Sequence, residues 1–145
     1  KIIIMTSNLG SQYLSSLKDN EETEKVFDKV MDEVKKAFRP EFINRLDEII
    51  LFHKLSKKNI SGIVNIQLEN LSKRLKDKNY NIEFTEKLKE YLAEKGYDPI
   101  YGARPLKRVI QREVENFLAN KILKNEISTE KKVIVDVDGE NLIMK

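Results

Sequence analysis

Residues 97–110, "YDPIYGARPLKRVI", hold the key to the fold, because a loop of turn-forming residues runs straight into an apolar-periodic segment. Gly102 lets the backbone turn sharply or approach a ligand closely, and Pro105 is pre-set for the first position of a helix. Leu106, Val109, Ile110, Val114, Phe117, Leu118 and Ile122 then recur on one side, which predicts a helix from Pro105 to about Lys124. Arg104 sits just ahead of this start, where free amides already carry about half a positive charge and a further cation is disfavoured unless an anion joins it. The residue before a proline is expected to be extended, so the guanidinium and the free amides converge on one spot. A phosphate could fill it, and so could a local carboxylate such as Asp98.

Working back from that loop, Thr85 is expected to cap a helix carrying Leu88, Tyr91 and Leu92, which Gly96 would end in the left-handed conformation. "YNIEF" (80–84) turns Tyr80, Ile82 and Phe84 inward and reads as a strand. Ile60, Val64, Leu68, Leu71 and Leu75 form a helical stripe after Ser56 as N-cap, with Gly62 tolerated inside. Downstream, "KKVIVDVDGENLIMK" (131–145) predicts a β-hairpin turning at Asp138 and Gly139.

The first 53 residues have another texture. "KIIIM" (1–5) is a continuous apolar run ending in "TSN", as expected of a strand buried on both faces in a parallel sheet. Too little chain surrounds it to build such a sheet, so the sequence is expected to be the tail of a larger domain. After the polar "SLKDNEE" (16–22), Val26, Phe27, Val30, Met31, Val34 and Phe38 mark an amphipathic helix closed by Pro40. Pro40 opens a short helix, "PEFINRL", with Phe42, Ile43 and Leu46 inward and Arg45 outward, and "EIILF" (48–52) reads as a second buried strand. Arg45 suits either a surface ion pair with Glu41 or a phosphate presented by another subunit. Asn8, beyond the first strand, could hold a water or phosphate oxygen at the carboxyl edge of an α/β sheet, or cap the following turn.

Composition narrows the chemistry. The chain has 145 residues, 40% hydrophobic, with 27 basic against 24 acidic side chains and a net charge of +3, which gives no warrant for nucleic acid as a default partner. No apolar run reaches the roughly 20 residues of a membrane span, and no membrane partner is expected. Without cysteine there is neither a disulfide framework nor a thiolate metal site, and the single histidine, His53, reads as a strand-end polar residue, so no metal site is expected from these residues.

Taken in order, "KIIIMTSNLGSQYL", "AFRPEFINRLDEIILF" and "EKGYDPIYGARPLKRVIQREVENFLA" resemble the C-terminal ATPase module of Clp-type AAA+ unfoldases across essentially the whole chain. The resemblance implies an α/β fold: the C-terminal fragment of an AAA+ P-loop large subdomain (1–53), followed by a small mixed α+β subdomain with a short sheet (54–145). It implies that Asn8 is the sensor 1 residue, Arg45 the arginine finger reaching a neighbouring subunit's nucleotide, and Arg104, beside Gly102 and Ala103, the sensor 2 contact to nucleotide. It further implies ATP and Mg2+, a homo-hexameric ring, unfolded or aggregated polypeptide as substrate, and cooperation with other chaperones in the stress response.

There is no G-x-x-x-x-G-K-[ST] in the sequence, and the family's acidic strand-end motif and pore loops are missing too. These 145 residues alone are therefore expected not to hydrolyse ATP, and the magnesium ligands are expected upstream of Lys1. Residues 11–33 also lack the apolar-Gly-apolar tripeptide of members that dock on the Clp peptidase, which points to the ClpB-like disaggregase branch. The rivals are a peptidase-coupled Clp unfoldase and a nonenzymatic module placing "RPLKRVIQR" on nucleic acid, a helix whose basic face Glu113 and Glu115 interrupt. The resemblance leaves the compartment open between the cytoplasm and an organelle or vacuole lumen.

Overall fold

Ile60, Val64, Leu68 and Leu71 fall on one stripe of a 20-residue helix, α4 (Lys57–Lys76), and are its buried residues in the computed structural model. The structure describes residues 1–18 and 23–145, which divide into two units, Lys1–Lys54 and Leu55–Lys145.

In the second unit, Ser56 starts α4. Asn59 Oδ1 accepts from both Ser56 N (3.0 Å) and Ser56 Oγ (2.7 Å), tying the first turn. The helix ends in a left-handed residue, Asn79 (φ 66°), where Tyr80 N donates to Leu75 O at 2.9 Å and Asn79 N to Lys76 O at 2.8 Å. This pair of bonds is the Schellman pattern, and Tyr80 and Leu75 supply its apolar contact by packing on the core. β1 (Asn81–Phe84) follows, then α5 (Glu86–Gly96), capped by Thr85 Oγ1, which accepts from Leu88 N at 3.2 Å. Next come α6 (Leu106–Ile110), a π-helical turn (Gln111–Glu115), α7 (Asn116–Leu123), β2 (Lys132–Asp138) and β3 (Asn141–Met144).

The sheet order is β1-β2-β3, with Asn81–Phe84 parallel to Lys132–Val135 and β2 antiparallel to β3. A parallel pair cannot be joined by a tight turn, and α5 to α7 provide the crossover. Ile60, Leu68, Leu88, Leu92, Leu106, Val114 and Val135 fill the core between helices and sheet. Among the described residues one carboxylate, Asp136, is buried. Asp136 accepts from Thr85 Oγ1 (2.6 Å), Val137 N (2.8 Å) and Lys145 Nζ (2.7 Å). The Lys145 bond first, then those from Thr85 and Val137, hold its pKa well below the usual carboxylate range. Thr85 thus links the start of α5 to the sheet.

The first unit holds α1 (Ser11–Ser15), a 3-10 turn (Thr23–Val26), α2 (Phe27–Ala37) and α3 (Pro40–Ile43). Leu17, Val26 and Val30 form its small core, with Tyr13, Leu14 and Leu51 packed on it. Gly10 (φ 74°) rests against α2, where a Cβ would lie 2.9 Å from both methyls of Val30. Residues 19–22, part of the polar stretch before α2, lie outside the described residues.

Several expectations need correction. Neither "KIIIM" nor "EIILF" forms a strand: Ile2, Ile3 and Ile4 are 84–91% exposed, and Ile50 and Phe52 are 68% and 78% exposed. A strand exists only through its ladder bonds to a neighbour, and among the described residues of this unit there is none. Leu51 still turns toward the small core while Ile50 and Phe52 face away, a period-2 alternation without a ladder. Phe42 also fails to turn inward. It is 36% exposed and stacks on Phe38, also exposed, with ring centroids 5.1 Å apart.

Gly96 does not end α5 in the left-handed region. It is buried because α6 crosses close by, and a Cβ there would meet Leu106 Cδ1 at 2.4 Å. The helix expected from Pro105 to Lys124 is interrupted by the π turn. The hairpin turns at Gly139 (φ 61°) and Glu140, one residue later than expected, with Asp138 paired to Asn141. Glycine at the first central position is the requirement of a type II′ turn.

Candidate functional site

Residues 97–106 form a closed loop stapled at both ends. Asp98 and Gly102 exchange backbone bonds, Asp98 N to Gly102 O at 2.9 Å and Gly102 N to Asp98 O at 2.7 Å, and Gly102 takes φ 61°. The Asp98 carboxylate folds inward, Oδ1 accepting from Ile100 N (2.7 Å) and Tyr101 N (2.8 Å). Tyr101 O then accepts from Arg104 N at 3.2 Å, and Ala103 O from Leu106 N at 3.0 Å. Arg104 therefore lies in a turn, not in the extended conformation expected before proline, because the Ala103–Leu106 bond closes the chain around Arg104 and Pro105. Leu106 is 1% exposed and packs on Gly96, so contact between α5 and α6 fixes the loop's far end.

This geometry answers the question of Arg104's partner as far as local groups go. Asp98 Oδ1 accepts from two amides of its own loop, and the carboxylate does not pair with Arg104. Among the described residues no carboxylate lies within ion-pair distance of Arg104. Its guanidinium carbon instead lies 5.8 Å from the centroid of the Tyr101 ring, and both side chains are exposed. A guanidinium is planar, always charged and offers a fork of donors that matches phosphate oxygens, so an exposed, carboxylate-free arginine is chemically fitted to an oxyanion. Gly102 and Ala103 are half-buried beside it, and Ala103 packs on the core.

Asn8 is exposed. Its backbone carbonyl accepts from Ser11 N at 3.1 Å, whereas its side chain makes no hydrogen bond among the described residues; the side-chain bond at this turn is Leu9 N to Ser7 Oγ (3.2 Å). The amide is thus not spent on capping. Arg45 follows α3, its N donating to Phe42 O at 3.1 Å, and its side chain is exposed. The alternative ion pair with Glu41 is not formed, and among the described residues Arg45 has no acidic partner.

The structure gathers Gly102, Ala103 and Arg104 into one loop of the second unit, whereas Asn8 and Arg45 stand on the first unit without a side-chain contact to each other. His53 Nδ1 lies 2.9 Å from Thr23 Oγ1, a local polar contact. No group of three His, Cys, Asp or Glu side chains among the described residues could hold a metal ion. One residue of the site, Tyr101, escaped the sequence reading, whereas Asp98 was named there as a possible anion for Arg104. Asp98 three residues ahead of Tyr101 is a signal for a carboxylate that caps its own turn.

Residues 55–135 match the family model of the C-terminal, D2-small domain, of ClpB protein. The chain belongs to the ClpB family. Residues 1–49 match an AAA domain (Cdc48 subfamily). The chain is 56% identical over 141 residues to the chaperone protein ClpB of Rickettsia conorii, covering 97% of this chain and 16% of that protein. Against ClpB of Rhizobium meliloti it is 54% identical over 125 residues, 86% of this chain and 14% of that one. It therefore spans about a sixth of these relatives. Among solved structures it resembles S. cerevisiae Hsp104 in an extended complex with casein (TM-score 0.84, 41% identity, 99% of this chain and 25% of that one). An Hsp104–ADP complex matches with TM-score 0.83 and 42% identity over 94% of this chain and 24% of that one. The expected resemblance to the ClpB-like branch holds, as does the AAA+ C-terminal architecture with its small mixed sheet.

Proposed function

We propose that the chain is the C-terminal part of an ATP-driven protein disaggregase, in which nucleotide turnover is coupled to the threading of unfolded or aggregated polypeptide through a ring of identical subunits, a hexamer. The observation that carries this reading is Arg104: an exposed guanidinium in a stapled loop, with no carboxylate within ion-pair distance among the described residues. Family membership and the casein-bound Hsp104 relative support the threading role over a peptidase-coupled or nucleic-acid-binding one.

In this reading Arg104 contacts the terminal phosphate of ATP, with Gly102 and Ala103 lining the approach. Asn8, its side chain without a hydrogen bond among the described residues, orients the attacking water without adding charge. Arg45 is presented to a neighbouring subunit's nucleotide, where a guanidinium stabilises charge developing on the transferred phosphoryl group, an effect of about a thousandfold or more. Mg2+ supplies further charge neutralisation when bound, and the described residues hold no ligand cluster for it.

The test uses the full-length protein that carries this chain. Arg45→Ala is expected to cut hydrolysis by about a thousandfold while sparing nucleotide binding, and to poison wild-type neighbours in mixed rings. Mixed rings whose turnover simply tracks the wild-type fraction would remove the trans role. Arg104→Ala is expected to weaken ATP affinity or uncouple it from turnover.

A further inference from the structure

The stapled loop does more than display Arg104, because it builds a resting place for the guanidinium. Asp98 Oδ1 grips the amides of Ile100 and Tyr101, the Asp98–Gly102 bridge closes the loop, and Tyr101 O accepts from Arg104 N. These bonds fix the backbone of both residues, and the guanidinium carbon lies over the Tyr101 ring, 5.8 Å from its centroid. The ring has little packing role to justify it: Tyr101 is 60% exposed, as is its neighbour Ile100 at 68%. An aromatic face within about 6 Å of a guanidinium attracts it through the ring quadrupole, most usefully when no carboxylate competes.

We infer that Tyr101 is a positioning residue that parks Arg104 against its ring when the terminal phosphate is absent, so that the phosphate must draw the arginine off the tyrosine. This rests on the reading of Arg104 as the contact to that phosphate. A contact made only in the free state is lost on binding and lowers the apparent affinity by its own strength. For an exposed cation–π pair this is about two- to fivefold. ADP lacks the terminal phosphate and leaves the arginine parked, so parking widens no barrier against it. Tyr101 therefore sets how strongly the site distinguishes ATP from ADP.

The experiment measures equilibrium binding of ADP and of the slowly hydrolysed analogue ATPγS to the full-length protein by calorimetry. Tyr101→Leu and, as a second variant, Tyr101→Ser are expected to bind ATPγS about two- to fivefold more tightly with ADP affinity unchanged. Tyr101→Phe, which keeps a ring face, is expected to restore the wild-type ratio. Weaker or unchanged ATPγS binding in both the Leu and Ser variants overturns the parking role. Arg104→Ala separates the two ideas. If it leaves the ratio of ATPγS to ADP affinity unchanged, the reading of Arg104 itself fails; if it changes that ratio while the Tyr101 variants do not, only the parking fails.

Discussion

Gly96→Ala tests whether the loop carrying Arg104 is anchored by helix contact. A Cβ at position 96 would lie 2.4 Å from Leu106 Cδ1 and 3.0 Å from Leu106 Cα. The methyl can rotate away, but the Cα is backbone, and Leu106, 1% exposed, has nowhere to retreat. Overpacking of this kind costs about 1–3 kcal/mol, offset by up to about 1 kcal/mol of better helix propensity. The steric cost wins, for a net loss of roughly 1–2 kcal/mol. Gly62→Ala is the matched control: it sits inside α4 with nothing within 4 Å of the new Cβ, and only the propensity gain of about 0.5–1 kcal/mol remains. Urea unfolding followed by tyrosine fluorescence reports on the right region, since Tyr80, Tyr91, Tyr97 and Tyr101 all lie in the second unit. With a slope of about 2 kcal/mol per molar, the Gly96→Ala midpoint should fall by roughly 0.5–1 M while that of Gly62→Ala rises. Equal midpoints for the two variants would refute the anchoring.

Asn125 (φ 57°) ends α7 in the same pattern as Asn79, with Glu126 N donating to Lys121 O at 2.9 Å, so Asn125→Val should cost about 1–2 kcal/mol in thermal unfolding and Asn125→Gly almost nothing. Asp136, with its depressed pKa, contributes stability that is present above the ordinary carboxylate range, about pH 4, and is lost as pH falls through that range toward the folded value. Asp136→Asn should therefore be less stable than wild type at pH 7, with the gap closing in melts run below about pH 4; a gap that stays constant across that range would assign the loss to packing instead.

Helix stripes and caps were legible because each rests on neighbours a few residues away: Ser56, Thr85 and the α4 stripe all behave as their spacing indicates. The π turn was missed, although the spacing of the buried positions carries a trace of it. The α4 stripe runs 60, 64, 68, then 71, and its step of three cancels the drift of the steps of four. The buried positions 106, 110, 114 and 118 are separated only by steps of four, each turning about 40° past a full circle, and no straight α-helix keeps such a row on one face. A wider turn at 111–115 brings it back, with Glu113 paired to Lys95 and Glu115 to Arg74 on either side of buried Val114. What was not legible depends on distant partners. "KIIIM" has strand composition, but composition makes no ladder. Gly96 looked like a helix terminator because nothing local reveals that Leu106 would lie on it. At the site, Arg104 could be singled out by its place before Pro105, whereas the loss of Asp98 as its partner needed the loop to be closed.

The parallel pairing of Asn81–Phe84 with Lys132–Val135 has a consequence for the order of events in folding. Some fifty residues separate the two strands, while α5, α6 and the turn between them are neighbours in the chain. Contacts distant in sequence are costly to close and form late. The helices and the Asp98–Gly102 staple can therefore assemble before β1 has anything to pair with, and the Thr85–Asp136 bond forms as the sheet closes. Hydrogen exchange during refolding should protect Leu88 N and Gly102 N ahead of Thr85 N, whose acceptor is Val135 O.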